Sequence, residues 1–313
     1  MFADDYPRFI ETSELTAERG ERGQRRRSAT EQRNRLNERY EAIFASNRDI
    51  FDGARVLDLA SHDGRYSFAA LKSGAAHVTG VEVRQRLIDG AQDAFAFYGQ
   101  DPKTYRFLRG DVFDVLARET FDVDVVLCLG FLYHTYRHTE LLYRLQDLAP
   151  RHLIVDTMVT RATQPTLRVV RERDVEDIRS AAQDPYSVGR VLVLRPSVPA
   201  LRMLLDSYGF DIESMYDWKA RLAGRPPIPG VDGYATGKRV TVRCRSHEAA
   251  RDVGGNPLAP LPVATGPQSR TDGRERTPAP PPKQLTGGWR ERVNKALAKT
   301  TGYELRRAST ERD

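Results

Sequence analysis

Val56-Leu57-Asp58-Leu59-Ala60-Ser61-His62-Asp63-Gly64 reads as an apolar strand that ends in an acidic residue, turns tightly and enters a helix. The apolar run Val78 to Val81 ends in Glu82 in the same way, and Tyr105 to Leu108 leads through Gly110 into Asp111. Strands of this kind, each followed by a helical pattern, predict an α/β sheet. Ligands of open α/β sheets sit at the carboxyl ends of the strands, so Asp58, Glu82 and Asp111 should converge on one crevice.

The rest of the core extends that pattern. A helix after Gly64 should bury Phe68 and Leu71 and stop at Gly74, and a second runs from about Gln85 to Tyr98. Val123 to Leu129 is almost wholly apolar, as a central parallel strand should be. A helix over Thr139 to Leu148 leads to a strand at Leu153 to Asp156. Ser197 to Tyr208 reads as a helix stopped by Gly209, and strands Asp211 to Tyr216 and Arg239 to Arg245 follow. Together these predict an α/β domain over residues 52–248. The polar stretch Thr157 to Arg195 is long for a simple connection and suggests a lid or substrate-recognition insert.

Ahead of the core, residues 1–51 form a charged, helical segment. Leu36, Tyr40, Ile43, Phe44 and Phe51 recur at helical spacing, after a start that reads as disordered or loosely docked. Arg25-Arg26-Arg27 reads as a solvated face. Residues 249–285 form a proline-rich linker, and residues 286–313 a basic amphipathic tail helix with Trp289, Val293 and Leu297 on one side.

A carboxylate at the end of the second strand can accept both hydroxyls of a ribose, whereas phosphates prefer bare helix N-termini. The ligand implied is a nucleoside with a cationic or neutral tail, and S-adenosylmethionine fits that description. A dinucleotide site needs three glycines to bring backbone against a pyrophosphate, yet Gly64 is the only glycine between Gly53 and Gly74.

Val56 to Gly64, Glu82, Asp111 and Val126 to Thr135 resemble the successive motifs of class I S-adenosylmethionine-dependent methyltransferases. The resemblance implies a doubly wound, seven-stranded Rossmann-like sheet with an antiparallel last strand, and S-adenosyl-L-methionine as cofactor. It implies cofactor contacts at Asp58, Ala60, His62, Gly64, Glu82, Asp111, Val112 and Leu129, with Ala60 and His62 standing where further glycines are common. Ser61 to Phe68, Leu129-Gly130-Phe131-Leu132-Tyr133-His134 and Arg195-Pro196-Ser197 are similar to the tRNA uridine carboxymethyltransferase group and its relatives of unassigned substrate. Those tRNA enzymes carry a large N-terminal domain that helps to hold a carboxylated cofactor. Only about fifty residues precede the core here, so ordinary methyl transfer is the expectation.

If the acceptor is a hydroxyl, a general base accelerates transfer by about 10²- to 10⁴-fold. His134, just past the fourth strand, is the candidate base, with Tyr133 lining the pocket and Asp156 a candidate for acceptor hydroxyls. His62 is read as shaping its turn, His138 as solvated or helix-capping, and Glu172 and Asp174 as solvated. No cluster has metal-ligand spacing, and no metal is expected.

Charge constrains the partners. Of the net charge of +6, the 48 residues from Gly266 hold 11 basic and 6 acidic groups, so the rest of the chain is close to neutral. Nucleic-acid binding usually needs a basic surface, so a small-molecule or glycan acceptor is favoured over RNA. The basic tail could touch an anionic membrane surface weakly. Cys128 and Cys244 fall within expected strands and read as buried thiols. No apolar run reaches the roughly 20 residues of a membrane span, so the expected location is cytoplasmic, at most peripheral to the membrane. O-methylation is thus the main reading, tRNA modification the second, and a non-catalytic cofactor-binding scaffold the third.

Overall fold

The computed structural model describes residues 1–12, 27–173 and 190–247. Arg25, Arg26, Asp174, the proline-rich linker and the tail helix lie outside the described residues. The strands are β1 (Arg55–Leu59), β2 (His77–Glu82), β3 (Tyr105–Arg109), β4 (Val125–Leu129) and β5 (His152–Met158). They continue with β6 (Leu167–Arg173), β7 (Arg190–Pro196), β8 (Phe210–Met215) and β9 (Arg239–Ser246). The helices begin with α1 (Phe2–Asp5), α2 (Arg8–Glu11), α3 (Ala29–Ile43), α4 (Arg65–Lys72) and α5 (Gln85–Phe97). The later ones are α6 (Val112–Arg118), α7 (His138–Asp147), α8 (Val198–Ser207), α9 (Trp218–Leu222) and α10 (Asp232–Ala235).

Seven strands form one sheet in the order β3-β2-β1-β4-β5-β9-β8. The five from β3 to β5 run parallel, and β9 is antiparallel to both β5 and β8. This is the doubly wound, seven-stranded architecture anticipated above. Strand order reverses between β1 and β4, which opens a crevice beyond their carboxyl ends.

Alternation along the central strands supplies two cores. Val126 and Cys128 of β4 join Leu57 and Leu59 against Phe113, Leu116, Leu142 and Leu205 of α6, α7 and α8. Val125 and Leu127 point the other way, into a core with Phe44, Phe68 and Phe95 from α3 and its neighbours. Both faces are therefore covered, which explains the near-continuous apolar runs of β1 and β4. Cys128 and Cys244 are buried free thiols, each pushed up to about 12 by burial.

The described start of the chain is not loosely docked. Phe2, Phe9 and Ile10 are buried in the second core, and Phe2 and Phe9 have ring centroids 6.4 Å and 5.2 Å from that of Phe68. Phe2, Ala3, Phe9 and Ile10 carry this docking, four apolar side chains within ten residues whose signal the surrounding charge obscures. Next, α3 starts at a capping box: Ser28 accepts from the Glu31 amide and Glu31 reaches back to the Ser28 amide. The segment after β5 holds a β6–β7 hairpin, which periodicity did not reveal because Leu167–Arg173 lacks clean alternation. No described helix is long and apolar enough to cross a membrane.

Candidate active site

A cleft of about 760 Å³ lies at the carboxyl edge of the sheet, within the size range of small-molecule sites. Its first wall is the corner between β1 and α4. Ala60 (φ 52°) and His62 (φ 55°) both take left-handed backbone, the conformation that glycines commonly supply at these positions. The strain of order 1 kcal/mol or more at each is held by contacts around the corner. The Ser61 amide donates to the Val81 carbonyl at 2.9 Å, and the His62 amide to Glu82 Oε2 at 3.1 Å. Gly64 does not line the cleft; at φ 71° it starts α4, and a Cβ there would stand 2.8 Å from Ala91 Cβ. Its contribution is the close packing that lets the corner exist.

Asp58, Ala60, His62, Glu82, Asp111, Val112 and Leu129 all line the cleft. Glu82 is 3% exposed, and its Oε1 also accepts from the Arg84 amide at 3.0 Å. An ionised carboxylate offers about four acceptor positions; two amides and, at 3.4 Å, Arg84 Nη1 occupy three of those on Glu82, and displacing that long Arg84 contact would make room for two hydroxyls. Asp111 caps α6 by accepting from the Phe113 amide at 2.9 Å. Val81, Val112, Leu129 and Phe131 give that end of the cleft an apolar lining. A flat base between apolar walls, a diol on Glu82 and a polar edge near Asp111 fit this donor set, so the residues suit an adenosyl group. Asp58 is 1% exposed and accepts from Ser67 Oγ at 2.7 Å; burial, partly offset by Ser67 and Arg39, pushes it up to about 7.

Across the cleft, Leu132–His134 forms a single 3-10 turn after β4 that presents Tyr133 and His134 with ring centroids 4.1 Å apart. Glu172 of the hairpin holds His134 Nδ1 at 2.8 Å and lies 3.6 Å from Arg195. Glu172 is therefore not a solvated residue: cross-strand pairing of β6 with β7 turns it inward. Arg239 Nη1 donates to the Tyr133 hydroxyl at 3.3 Å. Burial alone would raise the Tyr133 phenol, but His134 and Arg239 beside it bring it down to about 7. Burial alone would lower His134, but Tyr133 and Glu172 outweigh it and raise the imidazole above its ordinary value. The two groups titrate as a coupled pair.

Asp156 differs from the expectation. It is 0% exposed, does not line the cleft, and is taken up by its own chain. Arg39 donates to it at 3.1 Å, Arg239 at 2.5 Å, Tyr234 at 2.8 Å and Thr241 at 2.7 Å. Burial would raise it, yet Arg239 and Arg39 hold it well below the usual carboxylate range. Asp156 anchors two cleft arginines and has no lone pair left for an acceptor. His138 is also corrected: it is 1% exposed and its Nε2 donates to the Leu132 carbonyl at 2.8 Å, tying α7 to the Tyr133 turn.

The reading of the sequence missed the cations of the cleft. Gln32, Arg35, Leu36 and Arg39 follow helical spacing along the cleft side of α3, and Arg239 opens β9. The spacing 32, 35, 36, 39 was visible, but a half-polar stripe resembles a solvated face until its partner is known. Among the described residues one carboxylate–imidazole group, Asp206, Asp211 and His247, gathers its ligand atoms within 4.8 Å. It lies outside the cleft lining, and His247 pairs with Asp211 at 2.7 Å.

Comparison with known proteins agrees with this architecture. A methyltransferase domain family model matches residues 56–149. A tRNA U34 carboxymethyltransferase of Pseudomonas fluorescens (strain SBW25) is 28% identical over 160 residues, 50% of this chain and 46% of that protein. The chain thus spans about half the length of the tRNA relatives that it matches. A ribosomal RNA large subunit methyltransferase I of Klebsiella pneumoniae is 34% identical over 88 residues, 26% of this chain and 22% of that one. A solved S-adenosylmethionine dependent methyltransferase structure from Listeria monocytogenes superposes with a TM-score of 0.50 at 15% identity, over 71% of this chain and all of that one. The fold and the matched domain are those of a class I methyltransferase. This chain carries a class I S-adenosylmethionine-dependent methyltransferase domain.

Proposed function

We propose that this protein transfers a methyl group from S-adenosylmethionine to a hydroxyl of a small molecule or glycan. The observation that carries the reading is the Tyr133–His134–Glu172 group facing the same cleft as Glu82. The cofactor, when bound, supplies an electrophilic methyl on a sulfonium. Glu82 would hold its ribose, Asp111 its adenine edge, and the corner at Ala60 to His62 its remaining length. Tyr133 and His134 take the acceptor proton, and Glu172 orients the imidazole by holding Nδ1. Apolar lining and the hairpin limit water around that step. Positioning and one proton transfer are all that an O-methylation asks of the chain.

The test is incubation of the purified protein with radiolabelled cofactor and fractionated cell extract. Alkali-stable label in a glycan or small-molecule fraction is expected. Label confined to RNA would replace this reading with the one suggested by the tRNA relatives, and cofactor binding without any transfer would leave a binding scaffold. The basic residues of 286–313 support a separate, peripheral role at anionic surfaces, tested by vesicle sedimentation of the full and truncated chains.

A further inference from the structure

Arg35 stands out in the cleft because no carboxylate of the described chain pairs with it directly, Asp156 acting on it only at longer range. Among the described residues its side chain makes no hydrogen bond and no ion pair, and its guanidinium carbon lies 5.7 Å from the Tyr234 ring centroid. It is half-buried, on the cleft side of α3 and one turn before Arg39. The neighbouring cations are engaged: Arg39 and Arg239 share Asp156, and Arg195 faces Glu172. Lys238, exposed in the lining of the same cleft, also has no side-chain partner among the described residues. No carboxylate nearby pairs with either cation: Asp156 acts on Arg35 at longer range but is taken up by Arg39 and Arg239, Glu172 is held by His134 and Arg195, and Asp232 is exposed.

Keeping an unpaired guanidinium half out of water is unfavourable, and more so beside other cations. Burial, with Arg239, Arg39 and Arg27 adding to it, lowers Arg35 to about 10, so it remains charged at neutral pH. A planar fork of N–H donors matches a carboxylate or phosphate in two parallel hydrogen bonds. We infer that Arg35, with the exposed Lys238 of the same cleft lining, forms an oxyanion subsite that receives a carboxylate or phosphate carried by the methyl acceptor. This rests on the reading of the cleft as a shared cofactor and acceptor site, and it narrows the acceptor to an anionic molecule. The same chemistry could come from the amino-acid carboxylate of the cofactor, and the experiment separates the two.

The experiment uses the full chain and two probes, inorganic phosphate and acetate, titrated by calorimetry with and without saturating S-adenosylhomocysteine. Phosphate should bind in both conditions. Arg35→Gln should weaken it by about 10-fold or more, the scale of hydrogen bonds to a charged group, and leave S-adenosylhomocysteine affinity unchanged. Arg35→Lys, which keeps the charge and loses the fork, should give an intermediate loss and provides a second variant should the glutamine fail to fold. Lys238→Gln should cost less. The inference is overturned if neither probe binds the wild-type protein. It is equally overturned if S-adenosylhomocysteine displaces phosphate, or if Arg35→Gln weakens S-adenosylhomocysteine but not methylthioadenosine, which lacks the amino acid. Failure of S-adenosylhomocysteine to bind at all would instead remove the methyltransferase reading and leave the phosphate result standing.

Discussion

Glu172, on a hairpin that follows β5, holds Nδ1 of His134, on the turn that follows β4, at 2.8 Å across 38 residues of chain. That bond places the Nδ1 proton between ring and carboxylate and leaves Nε2 as the other ring nitrogen for chemistry. It also joins the insert to the catalytic turn, so one contact orients the candidate base and fixes the wall beside it.

The first prediction follows from that contact. Glu172 raises His134, so Glu172→Gln should lower the imidazole pKa. The ascending limb of the rate profile that reports the His134 base should then move to lower pH. His134→Ala should reduce turnover by about 10²-fold or more with little change in cofactor affinity. An unshifted limb in the glutamine variant would reduce Glu172 to a packing residue.

Glu82 provides the second. It is nearly buried and pre-oriented by the amides of His62 and Arg84. A charge-assisted hydrogen bond contributes about 1.5–3 kcal/mol, so Glu82→Ala should weaken S-adenosylhomocysteine binding by about 10- to 100-fold. Asp111→Ala should have a smaller effect. Calorimetry that finds Glu82→Ala equal to wild type would take Glu82 out of the site.

The ease of reading differed sharply between fold and site. Strands β1, β2 and β4 were legible because apolar runs end in a carboxylate or turn, and their ends fell within about two residues of expectation. Gly209, at φ 76°, ended α8 as its position suggested. What escaped was long-range pairing. Arg39 meets Asp156 across 117 residues, and no periodicity announces such a partner. Asp156 looked like a ligand residue for the same reason: a strand-end acid reads alike whether it faces a cleft or a buried arginine. Tertiary contacts assigned those roles, and only their residue types were visible beforehand.

A third prediction concerns pH. Asp58 is pushed up to about 7 by burial, so the folded protein holds its proton more tightly than the unfolded chain. Its ionisation therefore costs stability as pH rises from the ordinary carboxylate range towards 7. Asp58→Asn, which can still accept from Ser67, should raise the melting temperature of the cofactor-free protein more at pH 8 than at pH 5. An equal effect at both values would exclude ionisation as the cause. A cationic cofactor favours the ionised form, so wild-type affinity should rise with pH through about 7 and the asparagine variant should lose that slope.

The last prediction is the largest in stability. Asp156 is the shared counter-charge of Arg39 and Arg239, both nearly buried, and Tyr234 and Thr241 complete its hydrogen bonds. Removing one member of a buried ion pair leaves an uncompensated charge and costs about 3–5 kcal/mol. Asp156→Asn should therefore unfold at a markedly lower urea concentration at pH 7. Because the carboxyl is held well below the usual range, the wild-type advantage should persist to low pH and be lost only as pH falls through the folded value. Arg39→Met in the Asp156→Asn background should recover part of the loss, since it removes one of the stranded cations. If Asp156→Asn instead proves as stable as wild type and loses only turnover, the carboxylate reaches the acceptor after all and the network is not structural. Denaturation curves and single-turnover rates on the same preparations decide between these outcomes.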